Sequence, residues 1–351
     1  MYIISEKMDK QYFLDLEPGE LDKYTADIRQ SKYRAKQILK WVYKERIKTF
    51  SECSDLSKQL RKILDKQFYL RSLTIKTKQI SKLDGTVRYI FQTNNGDNII
   101  TVFLPQENRN SICLSTQIGC SIGCNFCASG QMKFVRNLTR GEIIEQIFQV
   151  EKDSCQKIDS ILFMGMGEPL LNYENVISSI RTLTDTNLLS YSRRHIIVST
   201  AGFVPQIQKL SKEKLGIRLA LSLHSPDDDI RKQLISEKVP YTVKEILKTG
   251  LEYGRINKSR LTIEYVLIAG INDSISLAQK LAELIKKLSK PKDRIQINLI
   301  PYNYIGSTNN KSPDIETVQK FKDLLMRNGL LTIIRQSKGA DIGAACGQLI
   351  V

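Results

Sequence analysis

The segment Cys120-Ser121-Ile122-Gly123-Cys124-Asn125-Phe126-Cys127 decides how the rest of the chain is interpreted, because it separates three cysteines by gaps of three and two residues. Three thiolates this close together can hold three irons of an iron–sulfur cube, whereas four cysteines normally saturate such a cluster. One iron is then left open to a second molecule. Gly119 and Gly123 let the backbone turn tightly around a bulky group, and Phe126 is expected to shield it from water.

A structural zinc site is the competing interpretation of these cysteines. Structural zinc takes four ligands, and the chain has only two histidines, His195 and His224, neither of them adjacent to the cysteines. The spacing therefore favours an iron–sulfur cluster with an open iron over zinc.

Composition sets limits on the class of protein. The 351 residues are 41% hydrophobic and 26% charged, which is typical of a globular chain. The formal net charge of +16 favours a polyanionic partner such as nucleic acid, since binding releases counterions. A solvated basic surface is the alternative interpretation.

The odd number of cysteines, seven, and the lack of a secretory signal pattern indicate a reducing compartment rather than a disulfide scaffold. The longest apolar runs, such as Ile263 to Ile271, are too short to span a membrane. We therefore expect a cytoplasmic protein with no membrane segment.

From Ser111 onward, short apolar strands alternate with amphipathic helices, and such repeated βα units predict a parallel sheet covered by helices. The active site of such a fold lies at the carboxyl ends of the strands. The predicted strands are Ile112–Thr116, Ser160–Met164, His195–Thr200, Ile217–Leu223, Leu261–Ile268 and Ile295–Ile300, with an extra strand at Leu331–Arg335. The predicted helices include Gly141–Val150, Glu174–Leu183, Ser276–Leu288 and Ile315–Arg327.

The N-terminal part has a different pattern. It begins with helices, among them a basic one over Ser31–Lys48, in which Trp41 is expected to anchor the core. Strand-like segments follow from Lys76 to Pro105, around the turn-prone Asn94-Asn95-Gly96-Asp97.

Polar residues at the ends of the predicted strands are candidate ligand contacts. Gly165-Met166-Gly167-Glu168 follows a strand, and its carboxylate suits an ammonium group. Ser199, and Ser222 with His224, end the next two strands, although each serine taken alone is more often structural. Cys346 stands in a flexible segment of small residues, where a thiolate with a lowered pKa could accept a methyl group. Cys53 and Cys155 are expected to be inert.

The CxxxCxxC spacing resembles that of the radical S-adenosylmethionine superfamily. Six further motifs resemble the RlmN/Cfr group of RNA adenosine methyltransferases, and most closely its RlmN branch. These motifs are Cys113–Cys120, Gly165–Leu170, Ser199–Gly202, Ser222–Pro226, Asn298–Asn303 and Ala344–Leu349.

The resemblance implies a fold and a set of ligands. It implies an α/β fold, a partial (β/α)6 barrel with a small N-terminal helical accessory domain. The implied domains are an RNA-binding domain over 1–75, a β linker over 76–105, the radical core over 106–340 and a C-terminal loop over 341–351. A [4Fe-4S] cluster would be held by Cys120, Cys124 and Cys127, and S-adenosylmethionine by Gly167, Glu168, Ser199, Ser222, Leu223, His224 and Asn303.

The resemblance also implies the reaction. Cys346 would take a methyl group from one S-adenosylmethionine, and a second molecule would supply the radical, so that two are used per turnover. The thiomethyl carbon would then add to C2 of an adenosine in 23S rRNA or tRNA. Cys113 would release the product by forming a disulfide bond with Cys346. The implied partners are these RNAs and a low-potential electron donor such as flavodoxin or ferredoxin, and we expect a monomer.

Several positions depart from the family pattern. Ile100 stands where RlmN proteins commonly have a glutamate that accepts a proton, and Asp97 is the suggested substitute. Gly343 replaces a common Asp, Tyr304 replaces a common Pro, and the chain ends at Val351. Two alternatives remain open: Cfr-like methylation at C8, and a zinc-stabilised RNA-binding protein without catalysis.

Overall fold

The structure, a computed structural model, describes residues 10–351. Its strands are β1 Gln11–Tyr12, β2 Phe68–Tyr69, β3 Leu73–Ile80, β4 Val87–Thr93, β5 Asn98–Leu104, β6 Ser111–Cys113, β7 Gln117–Ile118, β8 Arg136–Asn137, β9 Ser160–Phe163, β10 Ile196–Thr200, β11 Arg218–Ser222, β12 Leu261–Leu267, β13 Ile295–Pro301 and β14 Thr332–Ile334. Its helices are α1 Pro18–Asp27, α2 Lys32–Leu39, α3 Lys58–Gln67, α4 Ala128–Gln131, α5 Arg140–Ser154, α6 Tyr173–Thr184, α7 Val204–Lys212, α8 Asp228–Leu234, α9 Val243–Ile256, α10 Ile275–Leu288 and α11 Ile315–Arg327.

A ten-stranded sheet, in the order β14-β13-β12-β11-β10-β9-β6-β5-β4-β3, forms the centre of the molecule. In this sheet, β6 and the strands from β9 to β14 pair in parallel, whereas β3, β4 and β5 join them as antiparallel neighbours. Because β14 and β3 are separate edges, the parallel part is an open barrel and not a closed one. The predicted α/β fold with a parallel sheet is confirmed, and each predicted strand overlaps an observed one.

The parallel strands are buried on both faces, as expected for strands covered by crossover helices. Every residue of β12 is buried. Capping boxes begin α5 at Thr139 and α9 at Thr242, where each threonine side chain and the glutamate three residues later cap one another's backbone N–H groups. These helix starts fix where each crossover leaves the carboxyl edge of the sheet.

The predicted helix over Ser31–Lys48 is shorter and changes type. α2 ends at Leu39, and a π-helical turn over Lys40–Glu45 continues it. Arg46, with φ of 54°, then reverses the chain direction. Trp41 is half-buried, packs against the N-terminal core, and donates its indole N–H to Asp55 at 2.5 Å.

Two hydrophobic cores meet at α5. Ile143 and Ile147 belong to the core of the barrel, whereas Ile144 and Phe148 belong to the core of the N-terminal helices. A single helix therefore packs the N-terminal unit against the outside of the barrel. Within residues 10–351, no helix is both long enough and apolar enough to cross a bilayer.

Candidate functional site

The cysteine loop follows β7 and ends where Cys127 begins α4. Gly119 and Gly123 have φ of 72° and 88°, in the left-handed region that favours glycine. At Gly119 a Cβ would stand 2.1 Å from the carbonyl oxygen of Lys133, so the loop packs directly on the backbone before β8. This packing and the β7–β8 pairing hold the loop at the carboxyl end of the sheet.

The three thiols of this loop lie close enough to repel one another as thiolates. Burial raises the pKa of all three, that of Cys120 to about 11, and the charges of Cys127 and Cys120 add to the rise at Cys124. Backbone N–H groups directed at the sulfurs of Cys120 and Cys127 act in the opposite direction. These groups belong to Ile122, Gly123, Ser129 and Gly130.

This donor set fits an iron–sulfur cluster. Coordinated thiols are deprotonated by the metal, and hydrogen bonds to the sulfurs are a feature of such sites. In the described part of the chain, no three His, Cys, Asp or Glu side chains are arranged to hold a single metal ion.

Glu168 lies behind the cysteine loop as a buried carboxylate. One oxygen accepts the N–H of Leu170 at 3.0 Å and the other accepts the N–H of Ala201 at 2.8 Å. No ion pair to Glu168 is present among residues 10–351. Burial raises its pKa to about 7, which leaves a carboxylate suited to a cationic ligand. Gly167 precedes it in the loop after β9.

The polar ends of β10 and β11 meet beside Glu168. The hydroxyls of Ser199 and Ser222 are 3.3 Å apart. Leu223 and His224 follow Ser222 and are buried. The Phe126 ring packs edge-on against the His224 imidazole, with ring centroids 4.7 Å apart, which links β11 to the cysteine loop.

Cys346 and Cys113 are far apart in sequence but close enough in the fold for their charges to interact. Cys346 is exposed as a residue although protein atoms surround its thiol, and Cys113 is half-buried. Burial raises the pKa of both thiols, and the charge of Cys346 raises that of Cys113 further. The residue after Cys346, Gly347, accepts the N–H of Ala128 at the end of the cysteine loop, so Cys346 lies beside that loop.

The expected disulfide bond is absent, since all seven cysteines, which all lie within residues 10–351, are free. The resemblance implies this bond only as the product of the last step of the reaction, and the two thiols described here are reduced.

The segment that carries Cys346 is held by hydrogen bonds at the cysteine and after it. The carbonyl of Cys346 accepts the side-chain amide of Asn303 at 3.0 Å. The carbonyl of Gly347 accepts the N–H of Ala128 at 2.7 Å, and that of Leu349 accepts the Ser129 hydroxyl at 2.5 Å. Asn303, a predicted cofactor contact, therefore touches the backbone of the predicted methyl carrier.

The residues that depart from the family pattern lie in different surroundings. Ile100 is buried in a small apolar cluster with Val102 and Met166, against which Cys113 packs. Asp97 binds Arg136 at 3.1 Å, so its carboxylate is engaged elsewhere. Gly343 has φ of 63°, and Tyr304 is exposed.

The sequence interpretation missed two charged residues inside the barrel. Glu264, on β12, is buried and pairs in register with Ser222, and its charge raises the pKa of Cys346. Arg231, on α8, donates to the carbonyls of Ala201 and Ser222. The signal for Glu264 was a charged residue inside an otherwise apolar strand.

A chain of hydrogen bonds leads to Glu264 through the barrel interior. Arg260 donates to Gln296 at 2.6 Å, Gln296 donates to Asn298 at 2.8 Å, and Asn298 donates to the Glu264 carboxylate at 2.9 Å. We call this series the interior chain. It fixes the orientation of the Glu264 carboxylate.

Comparisons with known proteins agree with this geometry. Residues 114–282 match the model of the radical SAM superfamily, and residues 12–70 match that of the ribosomal RNA large subunit methyltransferase N-terminal domain. A probable dual-specificity RNA methyltransferase RlmN of Endomicrobium trichonymphae is 45% identical, over 97% of each chain. One of Thermotoga neapolitana is 44% identical, over 96% of each chain.

A solved structure is similar as well. The crystal structure of a radical SAM methyltransferase from Sphaerobacter thermophilus is 35% identical, with a TM-score of 0.90, and the match covers 96% of this chain and 98% of that one.

Proposed function

Because the chain belongs to the RlmN family of radical S-adenosylmethionine RNA methyltransferases, we propose that it methylates C2 of adenosine in 23S rRNA and in tRNA through Cys346. One observation carries the proposal. The segment of Cys346 is bonded to the end of the cysteine loop and to a predicted cofactor contact at once, because Gly347 accepts the N–H of Ala128 at 2.7 Å and Cys346 accepts the side-chain amide of Asn303 at 3.0 Å.

The three loop thiols would hold the [4Fe-4S] cluster, and Glu168, Ser199, Ser222 and Asn303 would hold S-adenosylmethionine. When bound, these groups supply the methyl group and the radical that the reaction needs. The unpaired Glu168 carboxylate suits the cofactor's ammonium group, since an opposite charge favours the ionised form of a buried acid.

Cys346 is the residue that carries the methyl group to the RNA. Adenine C2 is electron-poor and does not attack a methyl sulfonium, so the carbon is first placed on sulfur, which is a good nucleophile as a thiolate. Two cofactor molecules are then used per methylated base. The bond from the thiomethyl carbon to C2 ties the RNA to Cys346, and Cys113 acts in releasing it.

Nucleoside mass spectrometry of rRNA and tRNA treated with the reconstituted enzyme tests the site of methylation. We expect 2-methyladenosine in both RNAs. 8-Methyladenosine would establish the Cfr-like alternative, and methylation of rRNA alone would remove tRNA from the proposal.

The two cysteines have separate expected phenotypes. Cys346→Ala should abolish methyl transfer, because the chain then has no carrier. Cys113→Ala should leave RNA covalently bound to Cys346, a species seen as slow migration that ribonuclease removes. Cys155→Ser, at an exposed thiol away from the site, is the matched control and should keep full activity. Substantial turnover by Cys346→Ala would refute its role.

The remaining parts of the proposal concern the surroundings of the enzyme. A low-potential donor such as flavodoxin or ferredoxin supplies the electron, the protein acts as a monomer, and it works in the cytoplasm with its RNAs. Reduction by each purified donor and sedimentation of the holoenzyme test the first two statements.

A further inference from the structure

Four arginines meet at the end of the barrel opposite to the cysteine loop. Arg109 precedes β6, Arg194 precedes β10, Arg218 begins β11 and Arg260 precedes β12. Parallel strands begin at one edge of a sheet, so these residues from separate segments lie at a common mouth. We call this set the arginine cluster.

Strand register brings two of these side chains to the same inner face. Leu219 pairs with Leu261 in the parallel ladder, so Arg218 and Arg260, one residue earlier, are neighbours. Arg260 is held by the interior chain through Gln296 at 2.6 Å, which leaves its other N–H groups available.

The cluster has no acidic partner in the part of the chain that is described. Within residues 10–351, the side chains of Arg109, Arg194 and Arg218 form neither an ion pair nor a hydrogen bond, and the Nε of Arg109 is buried without a partner. The neighbouring acid Asp159 accepts the N–H of Asn110 at 2.8 Å instead.

Other arginines of the protein behave differently. Arg136 binds Glu142 at 2.8 Å, and Arg255 binds Asp293 at 2.6 Å. The cluster is also electrostatically unfavourable: burial, followed by the charges of Arg260, Arg109 and Arg194, lowers the pKa of Arg218. Converging guanidinium groups with free donors and no counter-charge are the arrangement that planar, bidentate recognition of phosphate requires.

We propose that the arginine cluster at the amino ends of β6, β10, β11 and β12 is a binding site for a phosphate group. The phosphate belongs either to the backbone of the RNA substrate or to a free phosphate ion. The RNA source rests on the proposed function, whereas the site itself does not. A cavity of about 440 Å³ at the same end is lined by Lys258, Lys292 and Arg294 and by the Arg255–Asp293 ion pair, and its basic residues would give a longer RNA further contacts.

Thermal unfolding of the holoenzyme in inorganic phosphate tests the site. Chloride at matched ionic strength is the reference, because salt alone screens the repulsion among the arginines. We expect phosphate to raise the Tm of the wild type by a few degrees more than chloride does, and to raise that of Arg218→Gln no more than chloride does. Arg194→Ala, at an exposed position, is a second variant should Arg218→Gln fold poorly.

Affinity for bulk tRNA distinguishes the two sources of phosphate. If the RNA backbone binds here, Arg218→Gln and Arg194→Ala should each weaken binding by roughly three- to tenfold and reduce its salt dependence. Arg327→Ala, which removes the same charge from exposed α11, is the matched control. Unchanged RNA affinity with a specific phosphate effect assigns the site to free phosphate. No specific phosphate effect and no loss of RNA affinity would overturn the proposal.

Discussion

His224 shows how one residue can be fixed by both backbone and side chain. Its φ is 61°. Its Nδ1 accepts the N–H of Val266 at 3.0 Å, and its carbonyl accepts the amide of Asn272 at 2.7 Å. Burial, and then the charge of Arg231, lower the pKa of His224 to about 3. A proton on Nδ1 would break the bond to Val266 and bury a charge.

The buried His224 imidazole lowers the free energy of unfolding as the pH falls. The unfolded chain binds a proton near the ordinary pKa of 6.5, whereas the folded chain does so only near 3. The contribution is therefore complete above pH 6.5 and is lost as the pH falls toward 3. We expect the free energy of unfolding of the wild type to fall more steeply over this window than that of His224→Asn, as measured by urea denaturation. Asn tolerates the left-handed backbone, and equal slopes would contradict a neutral buried imidazole.

At the scale of single elements, the cysteine loop depends on two glycines in different ways. A Cβ at Gly119 would collide with the backbone of Lys133 at 2.1 Å, whereas one at Gly123 would meet only the carbonyl of Gly130 at 3.8 Å. Each substitution costs about 1–2 kcal/mol of stability, because it forces alanine into the left-handed backbone conformation. Gly119→Ala must in addition displace the segment that leads into β8.

Iron and sulfide content after anaerobic reconstitution should separate the two variants. We expect Gly123→Ala to keep most of its cluster and Gly119→Ala to lose most of it, because only the second moves the loop off its support. Equal cluster content in the two variants would show that the packing on Lys133 does not position the cysteines.

The parallel strands and the cysteine loop were predictable from sequence because they are set by local pattern: apolar runs of strand length, and cysteines at fixed spacing. Contacts between segments that are distant in sequence were not predictable in this way. The ion pair of Asp97 with Arg136, the burial of Glu264 inside the barrel, and the change to a π-helical turn after Leu39 all depend on tertiary packing, which no local pattern encodes.

At the scale of the whole molecule, Glu145 of α5 joins the N-terminal unit to the barrel. Its buried carboxylate accepts the Tyr12 hydroxyl and the backbone N–H groups of Ser72 at 2.7 Å and Leu73 at 3.2 Å. Removing the carboxylate leaves these donors unpaired, at about 1–3 kcal/mol for each buried group. The N-terminal unit would then be held by the apolar contacts of Ile144 and Phe148, by the bonds of Arg140 to the carbonyls of Leu14 and Leu16, and by the ion pair of Arg46 with Glu151.

Trp41, the only tryptophan in the chain, reports on the N-terminal unit alone. In the wild type, its fluorescence and the far-UV circular dichroism should change at the same urea concentration. In Glu145→Ala we expect the Trp41 transition to move to lower urea than the main transition. Glu316→Ala, at an exposed pair with Lys320, is the control and should keep the two transitions together. Coincident transitions in Glu145→Ala would contradict this role of Glu145.

The interior chain connects the arginine cluster to Glu264 through three hydrogen bonds. We infer that an anion that draws the Arg260 guanidinium toward itself would weaken its bond to Gln296 and, through Asn298, change the effect of the Glu264 charge on Cys346. Such coupling is reciprocal for equilibrium binding: if phosphate changes the affinity for S-adenosylmethionine by some factor, S-adenosylmethionine changes phosphate affinity by the same factor. We expect calorimetric titration of each ligand in the presence of the other to show this factor in the wild type and its loss in Asn298→Ala. The enzyme would then sense at one end of its barrel whether S-adenosylmethionine is bound at the other end.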